Sequence, residues 1–119
     1  MTGNEIFNRS ELLLGREGME ALERTRVIVF GVGGVGSWCA EGLVRAGLTH
    51  LTLVDSDRVC PTNLNRQLMA TQETIGQPKV EAMKQRLLSI NPEAEILALN
   101  MMYTEETAEE FHLEQYDYV

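Results

Sequence analysis

The sequence predicts an α/β fold in which helices wind around a parallel sheet, and three observations carry the prediction. Short runs of β-branched and aliphatic residues, RVIVF at 26–30, LTLV at 51–54 and ILAL at 96–99, alternate with longer amphipathic stretches. Continuous apolar runs of that length are the pattern of strands buried on both faces, as parallel strands are. The first run passes directly into GVGGVG at 31–36, and the second ends in Asp55. A glycine turn joining strand to helix, with an acid closing the next strand, opens a doubly wound, Rossmann-like sheet.

In chain order, residues 8–24 read as a helix. Ser10 is placed to cap it, Leu13, Leu14, Met19 and Leu22 recur roughly at helical spacing, and Gly15 and Gly18 are candidate breaks. Residues 37–46 read as the first crossover helix, with Val35, Cys39, Leu43 and Ala46 on one face and Gly47 as its C-terminal cap. Residues 56–74 are polar and turn-rich, a long connection of the kind that carries function or is disordered. The stretch 78–90 forms an amphipathic helix through Val80, Met83, Leu87 and Ile90, stopped by Asn91 and Pro92. Residues 104–113 read as an acidic helix, capped by Thr104 and with Glu105 and Glu106 near its positive end. Residues 116–119 read as the opening of a fourth strand, so the sheet is expected to be truncated at the start of that strand. The expected organisation is one domain over 1–119, the N-terminal part of a larger one. It comprises a helical arm over 1–25 and a β-α-β nucleotide-binding core over 26–119.

With 119 residues the chain has room for one modest core. Its formal net charge of −8 argues against a surface that sheathes nucleic acid. Two cysteines, without a CxxC pair, give neither a disulfide framework nor a zinc site. Cys39 is expected to pack under the glycine turn and Cys60 to lie in a loop. His50 and His112 have no second ligand at metal spacing. Trp38 is expected in the core or at a dimer contact. The N-terminus lacks the apolar stretch of a signal peptide and no run is long enough to span a membrane, so the expected location is cytoplasmic.

The chemistry gathers around the glycine turn. Gly31, Gly33, Gly34 and Gly36 allow a tight turn, close approach of phosphates to the backbone, and close helix–strand packing. The helix start behind them offers unpaired N–H groups and positive dipole to an anion. Asp55 can accept hydrogen bonds from ribose hydroxyls, and Asp57 is a further candidate in the same site. The glycine pattern alone points to a redox dinucleotide, NAD or FAD. Beyond it stand Asn63, Arg66 and Lys79: a guanidinium that can fork onto phosphate oxygens, a point charge near a helix start, and an amide that can bond phosphate or backbone. Taken singly each reads as a surface or turn residue; behind this turn together they read as contacts for a triphosphate.

GVGGVG at 31–36, LVDSD at 53–57, Asn63-x-x-Arg66-Gln67 and GQPK at 76–79 resemble, in order and spacing, the ubiquitin-activating-like adenylyltransferases, which include the bacterial thiamine- and molybdopterin-biosynthesis activators. Within that family GVGGVGSW, VCPTNLNRQ at 59–67 and RSELLLGREGMEAL at 9–22 are most similar to the tRNA threonylcarbamoyladenosine dehydratases. The resemblance implies ATP and magnesium as cofactors and a homodimer. It implies that the glycines hold phosphates, that Asp55 binds ribose, and that Asn63, Arg66 and Lys79 contact the triphosphate. Arg9 would reach into the partner's phosphate site, and Arg9, Arg66 and Lys79 would be the catalytic cations. The acceptor would be the threonyl carboxylate of threonylcarbamoyladenosine in tRNA. The family's magnesium-holding aspartate follows the fourth strand, so the chain as it stands is expected to be an inactive part of the enzyme. Activation of the C-terminus of a ubiquitin-like sulfur carrier is the alternative within the family. An NAD-dependent oxidoreductase domain is the competing class, and a non-catalytic nucleotide-sensing module a further one.

Overall fold

The computed structural model describes residues 3–119. A 3-10 turn at Gly3–Phe7 feeds α1 (Asn8–Arg24), which is followed by β1 (Arg26–Phe30), α2 (Gly34–Ala46), β2 (His50–Val54), α3 (Lys79–Ile90) and β3 (Glu95–Leu99). The three strands are parallel in the order β1-β2-β3, with Val27 opposite Leu51 and Leu51 opposite Ile96. The two-residue period of the strands sends Val27, Val29, Leu51, Leu53, Ile96 and Ala98 to one face. There they meet Ala40 and Val44 of α2 and Val80, Met83 and Leu87 of α3 in the main core. On the other face Ile28 and Val54 bury against Phe111. Tyr118 makes a parallel bridge to Val27, and the Ile28 N–H donates to the Tyr118 carbonyl at 3.1 Å. The chain end therefore runs beside β1, as the expected fourth strand requires.

Several local expectations are corrected. α1 begins at Asn8 with Phe7 as its N-cap, so Ser10 lies inside the first turn and caps nothing. The preceding 3-10 turn already delivers the chain into helix there. Gly15 breaks the helix, at φ 76 and ψ 166, whereas Gly18 does not. α2 starts at Gly34, not at residue 37, and the side chains it buries are Ser37, Ala40, Glu41 and Val44. Val35 is 87% exposed and Cys39 is exposed rather than packed under the turn. Both line an open apolar groove of about 820 Å³ along β1, with Leu43 and Tyr118. Helical spacing fixes which residues share a face but not which face the sheet takes, and here polar anchors decide. The Ser37 hydroxyl accepts the Leu68 N–H at 3.4 Å, and Glu41 is drawn inward by Arg86 of α3 and by Arg45, which donates from Nε at 3.1 Å. Burial raises the Glu41 carboxyl, but the hydrogen bonds and charges of Arg86 and Arg45 outweigh it and hold it below the usual carboxylate range.

Residues 104–113 are turns rather than an acidic α-helix, with 3-10 segments at Ala108–Phe111 and Leu113–Gln115. The Thr104 and Thr107 hydroxyls accept each other's backbone N–H, at 3.2 and 2.8 Å. Those local bonds satisfy the donors in a turn and compete with helix. The segment is anchored by rings: Phe111 meets Phe30 edge-on at 5.3 Å between centroids and stacks on Tyr103 at 5.6 Å. The connection 56–74 is packed, with Val59, Met69 and Ala70 in the main core.

Candidate functional site

The turn after β1 is shaped by two glycines. Gly31 has φ +90, a conformation that side chains rarely adopt, and its N–H donates to the Val54 carbonyl at 2.7 Å. A Cβ on Gly36 would overlap the Gly31 carbonyl, so α2 sits directly on the turn and only glycine permits that approach. No side chain caps the first turn of α2. Its leading N–H groups, with the positive end of the helix dipole, face the turn as an anion seat.

Asp55 closes β2 and holds this turn. Its Oδ2 accepts the Val32 N–H at 2.9 Å and its Oδ1 accepts the Asp57 N–H at 2.8 Å. The Asp57 carbonyl in turn accepts the Lys79 N–H at 3.0 Å, which places the start of α3 beside the same carboxylate. The Asp57 side chain is exposed. Asn63 is buried; its Oδ1 accepts the Cys60 N–H at 2.8 Å and closes a 3-10 turn at Pro61–Asn63. Its role in the structure is thus to shape the connection, with the amide nitrogen left over.

Arg66 comes to the glycine turn. Its Cδ lies 3.7 Å from where a Cβ on Gly34 would stand, and its Nη1 donates to the Thr62 carbonyl at 3.1 Å and to Asn65 Oδ1 at 2.9 Å. Those two acceptors hold the guanidinium while leaving other N–H donors of its fork unused. Lys79 is 7% exposed, and among the described residues its ammonium makes no hydrogen bond or ion pair. Its stem is buried while the ammonium, which is not among the buried unpaired atoms, keeps access to solvent and can meet a ligand's charge. Arg9 stands apart on α1, with no described contact to the turn of its own chain.

Sequence reasoning assigned nothing to Gln67. It is 6% exposed, its Nε2 lies 3.7 Å from where a Cβ on Gly33 would stand, and its Oε1 is buried without a partner. A buried, unpaired carbonyl oxygen next to the turn makes Gln67 a candidate contact for a ligand. Its only signal in the sequence was adjacency to Arg66. Trp38 is outside the core: it is 60% exposed, and its indole N–H donates to the Arg66 carbonyl at 3.1 Å. His50 pairs with Glu95 at 2.9 Å. Among the described residues no group of three His, Cys, Asp or Glu side chains could hold a metal ion. The resemblance places the family's magnesium-holding aspartate after the fourth strand, and a site of one carboxylate with phosphates would not form such a group.

The parallel sheet, the glycine turn and the acid after β2 define the class: a nucleotide-binding Rossmann-like domain. Residues 7–119 match the ThiF family, and the chain belongs to it. It is 55% identical over 113 residues to a tRNA threonylcarbamoyladenosine dehydratase of Bacillus subtilis, covering 95% of this chain and 44% of that protein. It is 40% identical over 115 residues to a sulfur carrier protein adenylyltransferase of Thermus thermophilus, covering 95% of this chain and 42% of that one. The crystal structure of the Escherichia coli tRNA N6-threonylcarbamoyladenosine dehydratase in complex with ATP superimposes with a TM-score of 0.90 at 35% identity. That match covers 94% of this chain and 46% of the other. The chain thus spans less than half the length of these relatives. Among the described residues no helix is long and apolar enough to cross a membrane.

Proposed function

We propose that the chain is the nucleotide-binding part of an enzyme that uses ATP to adenylylate a carboxylate, the acceptor being the threonyl carboxylate of threonylcarbamoyladenosine in tRNA. The observation that carries this reading is the stem of Arg66 lying across Gly34, at the uncapped N-terminus of α2. It brings a cation onto the turn where a redox dinucleotide would need only backbone amides. The 55% identity to a dehydratase supports the choice of acceptor.

In this mechanism a carboxylate oxygen attacks the α-phosphorus of ATP, the bond to the bridging oxygen breaks, and pyrophosphate leaves. The acyl-adenylate is then captured within the acceptor itself, which cyclises and expels AMP. No enzyme nucleophile is required, in keeping with exposed cysteines that serve no described site. The protein's contribution is positioning and electrostatics: an anion must approach a polyanion, and Arg66 and Lys79 offset the repulsion. Asp55 accepts from ribose while ordering the turn, and Gly31, Gly33, Gly34 and Gly36 let the phosphates meet the backbone. The enzyme acts as a cytoplasmic homodimer in which Arg9 serves the partner's phosphate site.

Pyrophosphate release from ATP, measured with an anticodon stem-loop RNA carrying the modified adenosine, tests the assignment. Arg66→Ala and Lys79→Ala are each expected to lose about 100- to 1000-fold in kcat, the loss typical of one removed charge contact. Arg58→Ala, whose guanidinium only reaches the Gly76 carbonyl, is expected to lose little. Equal effects from all three, or protection of the protein by NADH and not by ATP, overturn the reading. The likeness to a sulfur carrier adenylyltransferase favours a second acceptor, the C-terminus of a carrier protein. Release driven by that C-terminus and not by the RNA selects it.

A further inference from the structure

Packing does not account for the aromatic ring beside the glycine turn. Trp38 leaves 60% of itself in solvent, although an indole on a crossover helix ordinarily goes under. It follows Gly34 by one helical turn, so the two share a face of α2. Arg66 touches both: its side-chain stem lies over Gly34, and its carbonyl accepts the indole N–H at 3.1 Å.

We propose that Trp38 both positions Arg66 and binds the acceptor, its N–H pinning the Arg66 backbone at the turn and its outward ring stacking on the nucleobase that bears the acceptor carboxylate. This rests on the adenylylation reading and names the part of the acceptor recognised. Stacking favours a base over a peptide tail, because an indole face accepts any base without the help of charge. An extended peptide offers main-chain hydrogen bonds and no flat ring to cover an indole. The indole is also tied to the residue whose cation faces the phosphates, so one side chain sets the distance between a stacked base and the reacting phosphorus. The neighbouring Val35, 87% exposed, widens the apolar ledge on the same helix.

The two roles separate by substitution in the intact enzyme, assayed by pyrophosphate release with the anticodon stem-loop RNA. Trp38→Leu keeps bulk but loses both ring and N–H; Trp38→Phe keeps a ring and loses only the N–H. Leucine is expected to raise KM for the RNA about tenfold while KM for ATP stays within twofold, as loss of one stacked base does. Phenylalanine is expected to restore most of the RNA KM yet leave kcat about fivefold low, because Arg66 is less firmly held. An unchanged RNA KM in Trp38→Leu overturns the proposal, as does a parallel rise in both KM values or equal behaviour of the two variants. If the wild-type enzyme itself releases no pyrophosphate with this RNA, the acceptor reading fails with it. That outcome is distinguishable because it precedes any substitution.

Discussion

Two stretches of this chain lack regular structure, and they are ordered by opposite means. The connection between β2 and α3 is held by polar groups acting on backbone: Asp55 on Asp57, Asn63 on Cys60, Arg58 on Gly76, and the Thr74 hydroxyl on the Met69 carbonyl at 2.6 Å. The segment after β3 also closes a turn through Thr104 and Thr107, but rings dock it on the sheet, with Phe30, Tyr103 and Phe111 in mutual contact on the far face. Polar bonds fix direction as well as position, so the first stretch can aim side chains at the glycine turn. Ring packing fixes position and is tolerant of direction, which suits a cover better than a site.

Gly36 gives the sharpest way to break this contrast. Alanine there drives a methyl into the Gly31 carbonyl and is expected to cost about 3–5 kcal/mol, a backbone clash with nowhere to relax. Urea unfolding monitored by circular dichroism checks it, and a loss under about 1 kcal/mol would show that the turn is not seated on α2 as described. Phe111→Ala comes next, at about 3 kcal/mol, because it empties the small core of the far face. Affinity for ATP, measured by calorimetry, is expected to be unchanged in that variant; a large drop would tie the two stretches together.

Glu41→Gln is smaller, about 1–2 kcal/mol, since the carboxylate is buried but both arginines reach solvent. The pH dependence follows from the lowered carboxyl. A depressed acid adds stability above its unfolded value, about 4.3, and loses that stability as pH falls through the folded value. The wild-type protein is thus expected to shed part of its stability below about pH 4, and Glu41→Gln to show a shallower acid limb in thermal melts. Smallest is Arg58→Ala, under about 0.5 kcal/mol, because its single bond to the Gly76 carbonyl is exposed.

The order of elements was legible because it rests on local period: apolar runs for the strands, and Val80, Met83 and Leu87 for α3, all of which are buried. The glycine turn was legible for the same reason, since its residue types state their own backbone geometry. The inward face of α2 was not. Val35, Cys39 and Leu43 have the spacing of a core stripe, but of the three Leu43 alone packs against the core, and Ser37 and Glu41 go under because partners distant in sequence, Leu68 and Arg86, receive them. Residues 104–113 misled because two threonine hydroxyls outcompete a helix whose acids repel one another. Gln67 escaped notice, and the bond that Trp38 makes could not be foreseen, because neither type signals a role alone; one is defined by an empty acceptor and the other by a carbonyl 28 positions further on.

One carboxylate joins the two halves of the candidate site. Each oxygen of Asp55 grips a different amide, Val32 on the glycine turn and Asp57 at the start of the connection, and the carbonyl of Asp57 then catches the leading amide of α3. The turn and the helix that carries Lys79 are thereby geared together with little slack. A ligand that shifts one drags the other, so kinetic changes in an Asp55 variant would report lost alignment between amides and lysine as much as any lost grip on a sugar.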